Sequence, residues 1–236
     1  MNRRPGPQAQ PFETRAHRPG HRPAVNPYRD AIGDFGQELI PTEGGRERKG
    51  RWHEEFGRVA PITLELGVGN GSWLGTIAAQ EPESNFIGLE IRYKRCVQAA
   101  EKLRAAGCRN GRVVRWSWFE LEDLFAPGEL HRIVIHHPDP WSSPSKAKHR
   151  LIRPEFLVQA ASLVAVGGEL RLKTDFLPHR ESLVAGIVGT PWQLAGTSDD
   201  ILAAGAPWPD DIVTAYQGKF NRAGLPVYAA RLVLAA

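Results

Sequence analysis

The chain has 236 residues, of which 42% are hydrophobic and 24% are charged, and its formal net charge is +4. This composition is typical of a soluble domain with a sizeable core, and its apolar runs are shorter than the roughly 18 to 20 residues of a membrane span. Two cysteines exclude a disulfide framework, and the basic start lacks the apolar run of a secretory signal, so we expect a cytoplasmic protein with no membrane contact.

Positive charge is concentrated near the start of the chain. Residues 1–30 contain six arginines and two acidic residues, and six prolines fall within the first 27 positions. Such a composition favours a basic, largely flexible arm over residues 1–58, followed by a folded domain over residues 59–236. The arm and a second basic cluster after residue 145 indicate a polyanionic partner, nucleic acid first, with a merely solvated basic surface as the alternative.

Short apolar segments predict strands from residue 62 onward. In chain order they are ITLELG, NFIGLEI, GRVVRW, HRIVIHH and GELRLKT, and PVYAARLVLAA follows as a last strand able to insert antiparallel. Apolar residues at helical spacing predict helices over residues 93–106 and 155–165. Strands that alternate with helices indicate an α/β fold with a mainly parallel sheet and right-handed crossovers.

A glycine-rich loop follows the first predicted strand. Gly67, Gly69 and Gly71 allow a tight turn close to a ligand, whereas Ser72 stands where a dinucleotide fingerprint needs its third glycine. Glu90 ends the next strand, where a carboxylate can accept both hydroxyls of a ribose. The two features indicate a cofactor with an adenosine group and disfavour a nicotinamide-dependent dehydrogenase. A tight turn without any ligand is the structural alternative.

Asp139 lies in the segment HHPDPW at the carboxyl end of the fourth predicted strand. Prolines on both sides stiffen the loop, and Trp141 offers a flat face for a base. A carboxylate held there suits the N–H donors of a nucleobase edge, with an Asx-type turn as the alternative. His137 and Asp139 also have the HxD spacing of iron-dependent oxygenases, which the alternating strands and helices disfavour, so we expect no metal.

The motifs LELGVGNG, GLEIR, HPDPW, a basic run ending in HRLIR, LKTD and TAYQGKF occur in this order. With them the chain resembles the bacterial tRNA (guanine-N7)-methyltransferase family over residues 62–234. The resemblance implies a Rossmann-like class I fold, with a seven-stranded mainly parallel sheet, an antiparallel last strand and helices on both faces. It also implies S-adenosylmethionine as cofactor, tRNA as partner and methyl transfer to N7 of a guanine.

The resemblance assigns roles to individual residues. Glu65 and Glu90 match cofactor-binding acids, and Asp139 matches the residue assigned to both cofactor binding and catalysis. The expected cofactor set further includes Gly67, Gly69, Gly71, Ser117 and Trp118. The expected tRNA set comprises Trp141, Ser143, Lys146, Lys148, His149, Arg150, Arg153, Asp175, Thr214 and Gln217. In this reading Asp139 orients the guanine and stabilises positive charge on the purine, while the basic run holds phosphates.

Three residues depart from the family pattern. Ser117 stands where an acid or amide usually faces the adenine, Ser143 where a lysine is usual, and Gln217 where a glutamate is usual. Two other functions therefore stay open. One is methylation of another nucleobase atom or substrate, because the (Asp/Asn)-Pro-Pro-aromatic loop of exocyclic amine methyltransferases is similar to PDPW. The other is a non-catalytic RNA-binding relative that kept the scaffold.

Overall fold

The computed structural model describes residues 26–236, so the first 25 residues of the predicted arm lie outside the described residues. Within the described part, one sheet contains β1 (Leu39–Ile40), β2 (Ile62–Leu66), β3 (Asn85–Glu90), β4 (Gly111–Arg115), β5 (Leu130–His136), β6 (Val164–Thr174), β7 (Trp192–Ser198) and β8 (Tyr228–Leu234). Their order is β1-β4-β3-β2-β5-β6-β8-β7. Strand β8 is antiparallel to both neighbours and the other pairs are parallel, which confirms the predicted class of sheet.

Helices occupy the segments between and before these strands. They are α1 (Pro27–Asp30), α2 (Thr42–Arg46), α3 (Trp52–Phe56), α4 (Ser72–Gln80), α5 (Tyr93–Ala105), α6 (Pro154–Leu163), α7 (Leu177–Ala185), α8 (Ile201–Ala204) and α9 (Gln217–Ala223). Short 3-10 segments cover Ala31–Phe35, Trp118–Asp123 and Pro144–His149. The helices predicted over residues 93–106 and 155–165 are confirmed as α5 and α6, the second beginning at its proline.

Successive residues of the strands enter two different hydrophobic clusters. Val113 belongs to the cluster formed with α4 and α5, whereas the adjacent Val114 belongs to the cluster formed with α6. Because neighbouring side chains of a strand point to opposite faces, helices cover both faces of the sheet. The fully covered parallel strands explain why the predicted segments are apolar runs rather than alternating patterns.

The sheet has one strand more than the predicted seven, and that strand precedes residue 59. Strand β1 pairs in parallel with β4, and both of its residues are buried. Trp52 in α3 is fully buried, and its indole Nε1 donates to the carbonyl of Leu124 at 2.9 Å. The composition of the segment before residue 59 did not predict this packing, because a few isolated large apolar residues, without periodicity, attach the segment to the sheet. The predicted boundary at residue 59 is therefore not the edge of the folded structure.

The sheet order places a ligand crevice at its centre. From β2 the chain crosses toward β3 and β4, whereas from β5 it crosses toward β6. Strands β2 and β5 are paired neighbours, so the chain leaves them in opposite directions. In open α/β sheets such a switch point leaves a crevice beyond the carboxyl ends of the strands, where ligands bind. The candidate residues of the sequence analysis lie mainly around this crevice.

Candidate active site

The glycine loop after β2 forms one wall of the crevice. Gly67, Gly69 and Gly71 have φ values of 79°, 56° and 74°. Gly71 has a second constraint, because a Cβ atom there would lie 2.5 Å from Cα of Ala99 in α5. Left-handed backbone and close helix packing both require glycine. The loop therefore turns sharply and starts α4 against α5.

Glu65 and His136 form a buried pair beneath this loop. Oε1 of Glu65 lies 3.0 Å from Nδ1 of His136, and Oε2 is buried without a hydrogen-bond partner among the described residues. Burial raises the pKa of Glu65 well above its ordinary value, although Lys173 acts in the opposite direction. Burial also lowers the pKa of His136 well below its ordinary value. Both pKa shifts favour the uncharged forms of Glu65 and His136. Oε2 of Glu65 remains available to a bound ligand.

A first cavity of about 360 Å³ opens beyond β2, β3, β4 and β5. Glu90 is fixed at its edge, because Oε1 accepts from the backbone N–H groups of Ile91 at 2.9 Å and Arg92 at 3.0 Å. Ser117 Oγ accepts from the N–H of Phe119 at 3.3 Å. Further lining comes from Gly67, Trp118, Asp139, Trp141 and His149. A fixed acid between apolar faces is suited to a nucleoside, and the volume is that of a small-molecule site.

A second cavity of about 390 Å³ adjoins the first. It is lined by the other side of the glycine loop and by four of the predicted site residues, Glu65, Asp139, Asp175 and Thr214. Asp139 lines both cavities. Its side chain is exposed and receives no hydrogen bond from the described residues. A carboxylate in this position is available to groups bound on either side.

The loop that carries Asp139 is held in a strained conformation. His137 and Trp141 have φ values of 47° and 39°, which residues other than glycine seldom adopt. Arg150 holds the loop from outside, with Nε donating to the carbonyl of Pro140 at 3.1 Å and Nη2 donating to that of Trp141 at 3.1 Å. Such strain costs about 1–3 kcal/mol for each residue and persists only where surrounding contacts enforce it. Arg150 is therefore a loop clamp, a role that its place in the basic run did not reveal.

His137 connects the loop to the end of β6. Its backbone N–H donates to the carbonyl of Lys173 at 2.7 Å, and Nδ1 lies 3.0 Å from Oδ1 of Asp175. The ring stacks against Phe220 at 5.8 Å and 11°. Burial opposes ionisation of Asp175, but the hydrogen bond from His137 prevails and lowers the pKa of this carboxyl. Asp175 is thus held as a carboxylate facing the second cavity.

The basic run divides into exposed and inward-facing residues. Lys146, Lys148 and His149 are exposed on the 3-10 segment, where Lys146 Nζ lies 5.8 Å from the centre of the Trp141 ring. The guanidinium of Arg153 instead lies 5.5 Å from the ring centres of Trp118 and Phe119. Ser143, where a lysine was expected, is exposed and its Oγ lies 2.9 Å from Oγ of Ser145. Direct phosphate contact thus suits the three exposed residues best.

Gln217 does not line the candidate site with its side chain. It is only 2% exposed, and Oε1 accepts from Nζ of Lys173 at 2.9 Å. Lys173 Nζ also donates to Oδ1 of Asp211 at 2.9 Å, so Gln217 completes the coordination of a buried ammonium group. Thr214 Oγ1 accepts from the N–H of Gln217 at 3.0 Å. The predicted substrate-binding role of Gln217 is therefore corrected to support of the loop that presents Thr214.

Three cationic residues outside the predicted cofactor and tRNA sets also line the second cavity. They are Arg92, Arg95 and Lys219. Arg92 ends the GLEIR motif and Arg95 follows one helical turn later, so their spacing was the available signal. Within residues 26–236, no group of three His, Cys, Asp or Glu side chains is arranged to hold a metal ion. The same residues include no helix of sufficient length and apolar character for a membrane crossing.

The sheet order, the glycine loop and the two cavities define an α/β methyltransferase fold. Solved structures with this fold include the 16S rRNA methyltransferase KamB, with a TM-score of 0.57 and 15% identity, over 79% of this chain and 94% of that chain. The aminoglycoside resistance methyltransferase NpmB1 matches with a TM-score of 0.56 and 16% identity, over 80% of this chain and 93% of that chain. At these identities the likeness establishes the fold alone.

Sequence comparison defines the family. A family model described as "Putative methyltransferase" matches residues 59–230. The tRNA (guanine-N(7)-)-methyltransferase of Geobacillus kaustophilus is 31% identical over 205 residues, covering 87% of this chain and 93% of the relative. That of Listeria monocytogenes is 34% identical over 201 residues, covering 85% and 92%. The chain belongs to the bacterial tRNA (guanine-N7)-methyltransferase family, as its motifs predicted.

Proposed function

We propose that this protein transfers a methyl group from S-adenosylmethionine to N7 of a guanine in tRNA, the activity for which its relatives are named. The observation that carries the proposal is the position of Asp139, on a clamped loop between two adjoining cavities. One cavity suits the adenosine part of a cofactor, and the other brings carboxylates to a place where a base can enter. Because the substrate is tRNA, the proposed location is the cytoplasm.

The residues present fit the proposed cofactor. In the first cavity Glu90 has a fixed orientation suited to ribose hydroxyls, while Ile91 is 44% exposed and offers an apolar face to the adenine. The unpartnered Oε2 of Glu65 lies beside the glycine loop, where an ammonium group would satisfy it. Ser117 lines the adenine side with a hydroxyl in place of the usual acid or amide. When bound, S-adenosylmethionine supplies an electrophilic methyl group.

Positioning is the main chemical demand on the protein. Guanine N7 attacks through a lone pair and needs no deprotonation, so the chain requires no general base. Asp139 accepts from the N–H groups of the guanine and stabilises the positive charge that develops on the purine. Asp175, kept ionised by His137, adds a second acceptor in the same cavity. Trp141 bounds the first cavity with an aromatic face.

The exposed basic residues Lys146, Lys148 and His149 hold tRNA phosphates next to this loop. Such contacts are independent of sequence and weaken as salt increases. They position the RNA, whereas the acids in the second cavity select the base. This separation explains why a rigid acid lies directly before a basic segment.

The proposal is tested by incubating the protein with labelled S-adenosylmethionine and unmodified tRNA, followed by nucleoside analysis. The expected product is 7-methylguanosine. Label on an exocyclic amine or another atom would establish the other methyltransferase reading. Calorimetry without S-adenosylmethionine binding, combined with salt-dependent tRNA binding, would establish the non-catalytic RNA-binding reading instead.

A further inference from the structure

A group of cations outside the basic run borders the second cavity. The basic run contributes His149 to the first cavity. Arg92 lines both cavities, whereas Arg95 and Lys219 line only the second. Asp139 lines both cavities, so it lies between His149 on the side of the first cavity and Arg95 and Lys219 on the side of the second. The arginines come from the start of α5 and the lysine from α9, so two separate elements converge on this opening.

The three cations keep charge available to a ligand. The side chain of Arg92 is 68% exposed, although its Nε lies 3.3 Å from Oε1 of Glu90. Arg95 uses Nη1 to donate to the neutral amide of Gln98 at 2.9 Å. Lys219 is exposed, and its Nζ lies 5.7 Å from the ring centre of Tyr216. Neither Arg95 nor Lys219 forms an ion pair among the described residues.

The acids of this cavity occupy positions different from those of the cations. Asp175 is bonded to His137 and Glu65 is buried, so neither neutralises Arg95 or Lys219. Asp139, the third acid in this lining, forms no ion pair with Arg95 or Lys219 among the described residues. Tyr216 belongs to the same lining and is 48% exposed, which adds an aromatic face of the kind that stacks on unpaired bases. Glu65 is buried and Asp175 is half-buried, whereas Arg92 and Lys219 are exposed. Together with the exposed aromatic ring, this arrangement favours a nucleotide with its phosphate outward.

We infer that Arg92, Arg95 and Lys219 form a second phosphate-binding surface, which holds the RNA backbone on the side of the target guanine opposite the basic run. A base that enters a pocket leaves a phosphate on each side of it, so cations on only one side would leave half of the backbone unbound. The inference rests on the proposed function, because it takes RNA as the ligand.

The test compares Arg95→Gln and Lys219→Gln with Arg109→Gln in the full-length protein. Arg92 is left unchanged because it contacts Glu90 in the first cavity. Arg109 is exposed and borders a different cavity, lined mainly by the end of α4 and the segment after α5 and not by Asp139, so its substitution removes the same charge elsewhere. The affinity for unmodified tRNA is measured by fluorescence anisotropy over a series of KCl concentrations. Urea unfolding midpoints check that each variant is folded.

Each site variant is expected to weaken tRNA binding and to reduce the slope of log affinity against log salt by about 0.7–0.9, the value for one lost phosphate contact. In the double variant the slope is expected to decrease by about twice as much, whereas Arg109→Gln is expected to retain the wild-type slope. Slopes of the site variants equal to that of Arg109→Gln would overturn the inference.

Binding slopes and methyl transfer are separate readouts. Formation of 7-methylguanosine by the wild type, with unchanged slopes in the site variants, contradicts only the second surface. Reduced slopes in the site variants, together with a wild-type protein that forms no 7-methylguanosine, contradict only the proposed reaction. Wild-type protein without measurable tRNA binding would contradict both.

Discussion

Replacing Arg150 with lysine separates its observed role as a loop clamp from its predicted role as a phosphate ligand. Arg150 donates from Nε to the carbonyls of Pro140 and Trp141 at 3.1 and 3.3 Å, and from Nη2 to Trp141 at 3.1 Å. Hydrogen bonds from a charged donor contribute about 1.5–3 kcal/mol when well formed. Because this side chain is partly exposed, we assign about 2 kcal/mol to the whole set.

Arg150→Lys keeps the positive charge but loses the planar guanidinium group. We therefore expect the observed loop conformation to lose about 1–2 kcal/mol of stabilisation. The strain at His137 and Trp141 has a similar magnitude, and the loop would leave its active conformation more often. The expected result is a decrease in kcat of about 5 to 30-fold at saturating tRNA and S-adenosylmethionine. The salt slope of tRNA binding should stay that of the wild type, since the charge is retained.

Steady-state kinetics with Lys148→Gln provides the contrast. Lys148 is exposed, and its side chain forms no hydrogen bond, ion pair or ring contact with the PDPW loop among the described residues, so its loss should raise KM and reduce the salt slope. If Arg150→Lys has the wild-type kcat, the clamp is unnecessary and the reasoning from the hydrogen bonds is wrong. A reduced salt slope in Arg150→Lys would equally contradict the assignment.

Two further predictions concern stability. Gly71→Ala combines a left-handed φ of 74° with a Cβ atom 2.5 Å from Cα of Ala99, and should lower the free energy of unfolding by about 2–5 kcal/mol in urea titrations. Gly107→Ala, at a φ of 65° with open space around it, should lower it by only about 1–2 kcal/mol, and equal losses would refute the packing argument. Burial, assisted by Arg150, lowers the pKa of His179 from 6.5 to about 4, so the unfolded chain binds more protons between these pH values. Stability should therefore fall by up to about 3 kcal/mol as pH decreases through this window, and His179→Leu should remove that part of the pH dependence.

Six of the eight described strands were predictable because their residues form apolar runs between turn-forming segments. Strand β7 was not, because WQLAGTS mixes exposed and buried residues at the edge of the sheet. Strand β1 has only two residues, which is too short for any periodic signal. Both missed strands lie at the edges, where one side lacks the packing that produces an apolar run.

The positions of Glu90 and Asp139 followed from the rule that ligands bind beyond the carboxyl ends of the strands. The roles of Arg150 and Gln217 did not, because each depends on a partner that local sequence does not identify. Gln217 contacts Lys173, which is 44 positions away, and Arg150 bonds to carbonyls nine and ten positions away. Motif spacing therefore predicted which residues line the crevice, and long-range contacts determine which of their side chains are free to meet a ligand.

The most direct test of the account is single-turnover formation of 7-methylguanosine by Asp139→Ala and Asp139→Asn, with tRNA affinity measured in parallel. Both variants should lose at least about 100-fold in the rate of methyl transfer, because the carboxylate that orients the guanine and stabilises its charge is gone. The tRNA affinity should stay close to that of the wild type, since Lys146, Lys148 and His149 still hold phosphates. Formation of 7-methylguanosine at the wild-type rate by Asp139→Ala would contradict the central role of this carboxylate.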